Sequence, residues 1–231
     1  MKDLNNYSTG HRKRLKNRFK KSPTALEDYE LLELILFNAI PRKDVKTIAK
    51  ILIEETKDFS NVVNLDFAKL TSISMERNIS IPESVEIQFL LIQEAIRRCL
   101  RGEIKNTEII SRSSELNNYL IATMSGKEVE NFRVLYLNTK NHLIADEVQE
   151  SGTIDQVHIY PREILKRAIY HGAASMILVH NHPSGVCSPS KADISLTNQI
   201  IQVCSTLDIS VHDHIIVGGK NVFSFRANGI L

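Results

Sequence analysis

Between Gly10 and Gly102 the chain contains no glycine. Glycine enters left-handed turns and close backbone contacts without steric cost, so a long run lacking it favours helices joined by short connections. From Gly102 onward the pattern reverses: glycine recurs at 126, 152, 172, 185, 218, 219 and 229, and seven of the eight histidines lie in this half. Charge divides at the same place, the net +2 resolving into +4 up to Lys105 and −2 beyond it. These breaks predict two domains of different construction, 1–105 and 106–231, with the boundary near 102–112.

The 231 residues are 42% hydrophobic and 24% charged, which is long and apolar enough for one large or two small cores. Collagen-like, coiled-coil and wholly disordered chains are excluded. No run approaches the roughly 18 apolar residues of a membrane span, and the first 21 residues lack the apolar stretch of a secretory signal, so a cytoplasmic chain without membrane contact is expected. The three cysteines, Cys99, Cys187 and Cys204, are far apart with no C-x-x-C pair, which argues against a disulfide framework or a Cys-rich zinc finger.

Apolar periodicity predicts helices in the first half. One follows Asp28 and is stopped by Pro41, a second begins at the cap candidate Asp44, and a third runs from about Glu83 to Arg101 with Val85, Phe89, Ile92 and Ile96 on one face. The second half alternates. A helix over SELNNYLIATM precedes two strands, FRVLYLN and HLIADEVQ, joined as an antiparallel hairpin through Asn138–Asn141. A short strand around Thr153–Ile159, a helix opened by Pro161 and closed by Gly172, a buried strand SMILVH, a helix over ISLTNQIIQVCSTL and strands SVHDHIIVG and VFSFR follow. The sum is an α+β chain: a helical N-terminal domain, then an α/β domain with a mixed sheet.

The chemistry concentrates in HNHPSGVCSPSKAD. Period-2 geometry puts His180 and His182 on the same side at a strand end, and Asp193 falls in the first turn of the helix that Ser190 begins. Two nitrogens and one carboxylate leave a tetrahedral metal one open position, as catalytic zinc sites do, and a water there has its pKa lowered from about 15.7 to about 7. Each feature alone has an ordinary explanation, Ser190 and Asp193 as a helix-capping pair and the histidines as polar loop residues. Their combination, His-x-His-Pro, six residues, then Ser-x-x-Asp, is expected by chance on the order of once in 100,000 chains of this length.

These residues match the signature of the JAMM (MPN-type) metallopeptidases. The surrounding text, GHRKRL, DYELLELILFNAIPRKD, LNTKNHLIADEV, YPREILKRAI, ILVHNHPSG and DHIIVG, resembles the bacterial RadC family over almost the whole chain. The resemblance implies a JAMM (MPN, cytidine-deaminase-like) α/β domain, zinc held by His180, His182 and Asp193, a glutamate as general acid/base, and Ser190 stabilising an oxyanion. Glu130 best matches the glutamate's position ahead of the first strand, with Glu128, Glu147 and Glu150 as competitors. The implied activity is hydrolysis of a peptide or isopeptide bond in a protein or peptide substrate.

Three further features bear on function. In His212-Asp213-His214 either Asp213 or His214 could support the metal from behind, or both could be strand packing. A zinc nucleobase deaminase requires H-x-E followed by P-C-x-x-C, which this chain lacks. Residues 2–21 carry eight Lys/Arg (Lys2, Arg12, Lys13, Arg14, Lys16, Arg18, Lys20, Lys21) against Asp3, a segment that could neutralise nucleic-acid phosphates without sequence preference or simply form a solvated helix face. RadC-like N-terminal domains resemble helix-hairpin-helix DNA-binding modules, but TSISMERNISIPESV has no glycine for such a hairpin. A DNA-associated protein with an auxiliary metal domain is therefore the alternative reading.

Overall fold

The computed structural model describes residues 4–105, 107–127, 129–149 and 159–231. Two compact units emerge, Met1–Ala95 and Ile96–Leu231. Their division falls inside a helix, upstream of the composition break at 102–112, because that helix continues through Gly102. Among the described residues no helix is long and apolar enough to cross a membrane.

The glycine-free half is helical: α1 Leu4–Lys21, α2 Asp28–Ala39, α3 Lys46–Thr56, α4 Phe59–Val63, α5 Phe67–Glu76 and α6 Glu83–Ile104. Where the chain must reverse, Arg42 (φ 65°), Lys57 (φ 64°) and Asn78 (φ 49°) take the left-handed conformation in place of glycine. The helix starts differ slightly from expectation. In α2, Glu27 rather than Asp28 is the cap, closing a reciprocal box with Glu30. In α3, Val45 occupies the cap position, while Asp44 still accepts the Lys46 N–H at 2.9 Å from one residue further out. Helices α4 and α5 are too short for a clear apolar period, yet each starts at an aspartate cap, Asp58 and Asp66.

Leu32, Leu36, Val45, Ala49, Leu52, Val62, Leu70 and Ile73 form the first unit's core with Val85 and Phe89 of α6. The face expected on α6 does not persist, since Ile96 is 44% exposed. Helix α1 is tied down by its basic residues. Arg12 donates to the carbonyls of Phe37 and Ile40 at the end of α2 and of Lys43 in the connection to α3, Arg18 pairs with Glu30, and His11 contacts Glu33 at 2.7 Å. Of the cations expected to face phosphate, Lys13, Arg14, Lys16, Lys20 and Lys21 are exposed and Arg12 and Arg18 are engaged internally; Lys2 lies outside the described residues.

The second unit contains α7 Ser113–Met124, β1 Phe132–Leu137, β2 Leu143–Gln149, α8 Pro161–His171, β3 Ser175–Asn181, α9 Lys191–Ser205, β4 Ser210–Gly218 and β5 Asn221–Ser224. The sheet order is β2-β1-β3-β4-β5, with only β3 and β4 parallel, so the expected mixed sheet is present. Of the strand expected at Thr153–Ile159, residues 153–158 lie outside the described residues and Ile159 is not in a strand. Helix α7 packs on one sheet face with Leu135, Ile177 and Val179; α8 and α9 cover the other with Val134, Met176 and Leu178. Strand β3, buried throughout, carries the histidine motif out at its carboxyl end.

The exposed C-cap Lys57 tests what the missing glycines cost. A left-handed conformation disfavours a side chain by roughly 1–2 kcal/mol, so Lys57→Gly should raise the unfolding free energy by about 1 kcal/mol, read as a higher urea midpoint at unchanged slope. A lower midpoint would contradict this account.

Candidate metal centre

Alternation along β3 sends Met176, Leu178 and His180 to the α8/α9 face, and His182 follows on the same side just past the strand. The ladder extends one bond further: the His182 N–H donates to the Val217 carbonyl at 2.9 Å. A tight turn follows, closed by Gly185 (φ 79°) donating to the His182 carbonyl at 3.0 Å. The loop then lies directly on Gly218. A Cβ at that position would stand 2.6 Å from the Gly185 carbonyl oxygen and 2.7 Å from Cys187 Sγ, so only glycine permits this approach. The Cys187 thiol donates to the Gly218 carbonyl at 3.6 Å.

Ser190 and Asp193 do form a capping box at the start of α9. The Ser190 N–H donates to Asp193 Oδ2 at 2.7 Å and the Asp193 N–H to Ser190 Oγ at 3.1 Å. Capping does not exclude a second role. The same carboxylate places Oδ1 3.4 Å from His180 Nε2 and Oδ2 3.7 Å from His182 Nε2. Burial works to raise the Asp193 carboxyl, but the bonds from Ser190 and the two imidazoles outweigh it and hold the group below the ordinary aspartate value.

The hydrogen bonds behind the imidazoles determine which nitrogens carry protons. His182 Nδ1 lies 2.6 Å from the Val186 carbonyl, which only accepts, so Nδ1 carries a proton and the neutral tautomer of this ring presents Nε2 bare. Thr197 Oγ1 donates its single proton to the Asp193 carbonyl at 2.6 Å and therefore accepts from His214 Nδ1, also at 2.6 Å. His214 Nε2 must then accept from His180 Nδ1 at 2.8 Å, which leaves His180 Nε2 bare. The two bare nitrogens face each other at 2.9 Å. Burial pushes His180 down to about 4 and His214 to about 3, so at neutral pH both rings of this relay stay neutral and His180 keeps Nε2 free of a proton. Ligand atoms of His180, His182 and Asp193 all lie within 4.8 Å of one another, and two lone pairs with a carboxylate at this spacing suit a cation between them.

The His212–His214 segment divides its labour. Asp213 turns away and accepts from Ser224 Oγ at 2.5 Å and from the Arg226 N–H at 3.0 Å, holding the chain after β4. A bulge decides this. Met176 pairs with Val211 but Ile177 pairs with Asp213, so His212 is the extra residue and His214 falls on the His180 side. Thr197 drew no attention in the sequence, although its spacing of four from Asp193 on a helix is the signal that places both on one face.

Glu130 stands in the segment before β1. Glu130 is solvent-exposed, and partial desolvation by its surroundings raises its carboxyl above the ordinary glutamate value, with nearby His182 lowering and Asp193 raising it, so it lies within electrostatic reach of both. Glu147 is committed elsewhere on β2, to Arg167 and to His171, and its carboxyl is held low by the Arg167 hydrogen bond above all. Glu128 and Glu150 lie outside the described residues.

Residues 110–230 match the family model described as the RadC-like JAB domain. The chain is also 42% identical over 226 residues to the UPF0758 protein SPO0054 of Ruegeria pomeroyi, a match that takes in 97% of this chain and 99% of that protein. With the domain match over the second unit and the identity running through the first, the chain belongs to the RadC family, and its second unit carries the RadC-like JAB domain.

Proposed function

We propose that the second unit is a zinc-dependent hydrolase of the JAMM type that cleaves a peptide or isopeptide bond, with His180, His182 and Asp193 as the metal ligands. The observation that carries this reading is the contact of two bare imidazole nitrogens at 2.9 Å beside a carboxylate, each held by a hydrogen bond from behind. Zinc bound there supplies a Lewis acid for the scissile carbonyl and acidifies a water. The chain's own groups do the rest. Glu130 accepts a proton from the attacking water and returns it to the leaving amine, and a carboxyl raised by partial desolvation is better matched to that return than an ordinary one. The Ser190 oxygen accepts the Asp193 N–H, which leaves its hydroxyl proton available to an oxyanion. His214 and Thr197 keep His180 in the tautomer that presents Nε2.

Purified protein should then carry about one zinc per chain by metal analysis. His180→Ala and Asp193→Ala should lose most of it, while His214→Ala should weaken zinc by about 10–100-fold in competition titrations. Ligand variants that retain zinc like the wild type would sink the site.

Glu130→Gln separates the metal from the proton carrier. Zinc content should stay at the wild-type level while cleavage of a peptide library, followed by mass spectrometry, disappears. Undiminished cleavage would move the general base to another residue.

The exposed cations of α1, Lys13, Arg14, Lys16, Lys20 and Lys21, support a second reading, contact with nucleic-acid phosphates. Deleting α1 would remove the buried Leu15 as well as these charges, so charge reversal is the cleaner test. If the reading holds, binding to duplex DNA should weaken steeply with salt and vanish in a Lys13→Glu/Lys16→Glu/Lys20→Glu variant. No binding at low salt would remove it.

A further inference from the structure

The residue between the two histidines faces away from them. Asn181 is 2% exposed and ends β3, and the strand's alternation turns its side chain to the side opposite His180. Among the described residues its side-chain hydrogen bonds both go to one short segment, and its N–H joins them. Oδ1 accepts the Asn131 N–H at 2.8 Å, Nδ2 donates to the Val129 carbonyl at 3.2 Å, and its backbone N–H donates to the Asn131 carbonyl at 3.3 Å. Val129 and Asn131 flank Glu130.

That segment has little else to hold it. Between the buried Met124 and Phe132, none of the described residues is buried; Val129 is 59% exposed. Apolar packing therefore does not set the direction in which Glu130 points, and the amide of Asn181 bridges the peptide groups on both sides of it. Neither metal-side hydrogen bond, His180 to His214 or His182 to Val186, involves Asn181. The motif thus acts in two directions from consecutive residues, its histidines toward the metal and its asparagine toward the segment with the carboxylate.

We propose that Asn181 is the positioning residue for Glu130: its buried amide clamps residues 129 and 131 and so aims the carboxylate between them at the metal position. This rests on the hydrolase reading above. Misplacing a reacting group by about 1 Å can cost on the order of 100-fold in rate, so a rigid clamp on an otherwise unpacked segment has a chemical purpose.

The test uses full-length protein labelled with 15N and with 13C at the glutamate carboxyl carbons, the Glu130 signal being identified by its loss in Glu130→Gln. In the wild type, one equivalent of zinc should shift the Glu130 carboxyl resonance, and the Asn131 amide should exchange slowly with solvent. Asn181→Ala should still take up zinc, but the zinc-induced Glu130 shift should fall by at least about half and Asn131 exchange should accelerate at least about tenfold. Asn181→Asp keeps the acceptor for the Asn131 N–H and loses the donor to Val129, so it should restore slow exchange while leaving the Glu130 shift reduced. It also carries the test if the alanine variant does not fold. A full zinc-induced Glu130 shift in both variants, or unchanged Asn131 exchange in Asn181→Ala, overturns the proposal. A wild type that takes up no zinc overturns the hydrolase reading instead, and Asn131 exchange still decides the clamp.

Discussion

An imidazole presents a bare nitrogen to a cation only while its other nitrogen keeps a proton, and something must hold that proton in place. For His182 the holder is a carbonyl in its own loop, Val186. For His180 it is a buried relay through His214 and Thr197 that ends on the backbone carbonyl of Asp193. The relay closes on itself, because Asp193 supplies both the carboxylate beside His180 and the carbonyl that fixes the tautomer of His180. Displacing α9 along its axis would therefore disturb two of the three candidate ligands together.

The surroundings serve this arrangement. Phe132 stacks parallel to the His180 ring at 6.3 Å and Phe225 lies 4.6 Å from His214, so the imidazoles sit among apolar rings that keep water out and their pKa values low. A neutral imidazole needs no proton displaced before it binds a metal. The loop from His182 to Ser190 reaches its position because Gly218 has no side chain, and it returns the chain to the N-terminus of α9 with Asp193 in the first turn. Helix capping and candidate metal ligation are the same contact seen from two sides.

The first unit meets a different constraint. Without glycine, its reversals fall on Arg42, Lys57 and Asn78, and asparagine tolerates the left-handed region best of the three. Asn78 stands in the α5–α6 turn, where Ile79 N–H donates to the Ser74 carbonyl at 3.0 Å, so the two helices pack through a turn that needs no glycine. The basic character of α1 is partly internal. Arg12 satisfies carbonyls at the end of α2 that would otherwise face a helix terminus unpaired, which makes it a structural cation.

Much of this is legible in the sequence. The hairpin of β1 and β2, the buried strand β3, the caps of α8 and α9 and the convergence of His180, His182 and Asp193 follow from period, turn residues and spacing, because each depends on contacts close in sequence. Helices α4 and α5 escaped because five to ten residues hold too few turns to display a period. Helix α6 runs on to Ile104, past the expected end at Arg101, because one glycine at 102 lowers helix stability by only about 1 kcal/mol and packing of Ile104 and the last turn outweighs it. What only the tertiary structure decided is which of Asp213 and His214 backs the candidate metal site, and that Asn181 reaches back to Val129 and Asn131 on either side of Glu130. Strand alternation assigns a face to each residue relative to its neighbours, but a one-residue bulge at His212 inverts that assignment, and a bulge is set by the partner strand. The ligand motif belongs to the sequence; the hydrogen bonds that orient it belong to the pairing of β3 with β4 and to the packing of α9 against them.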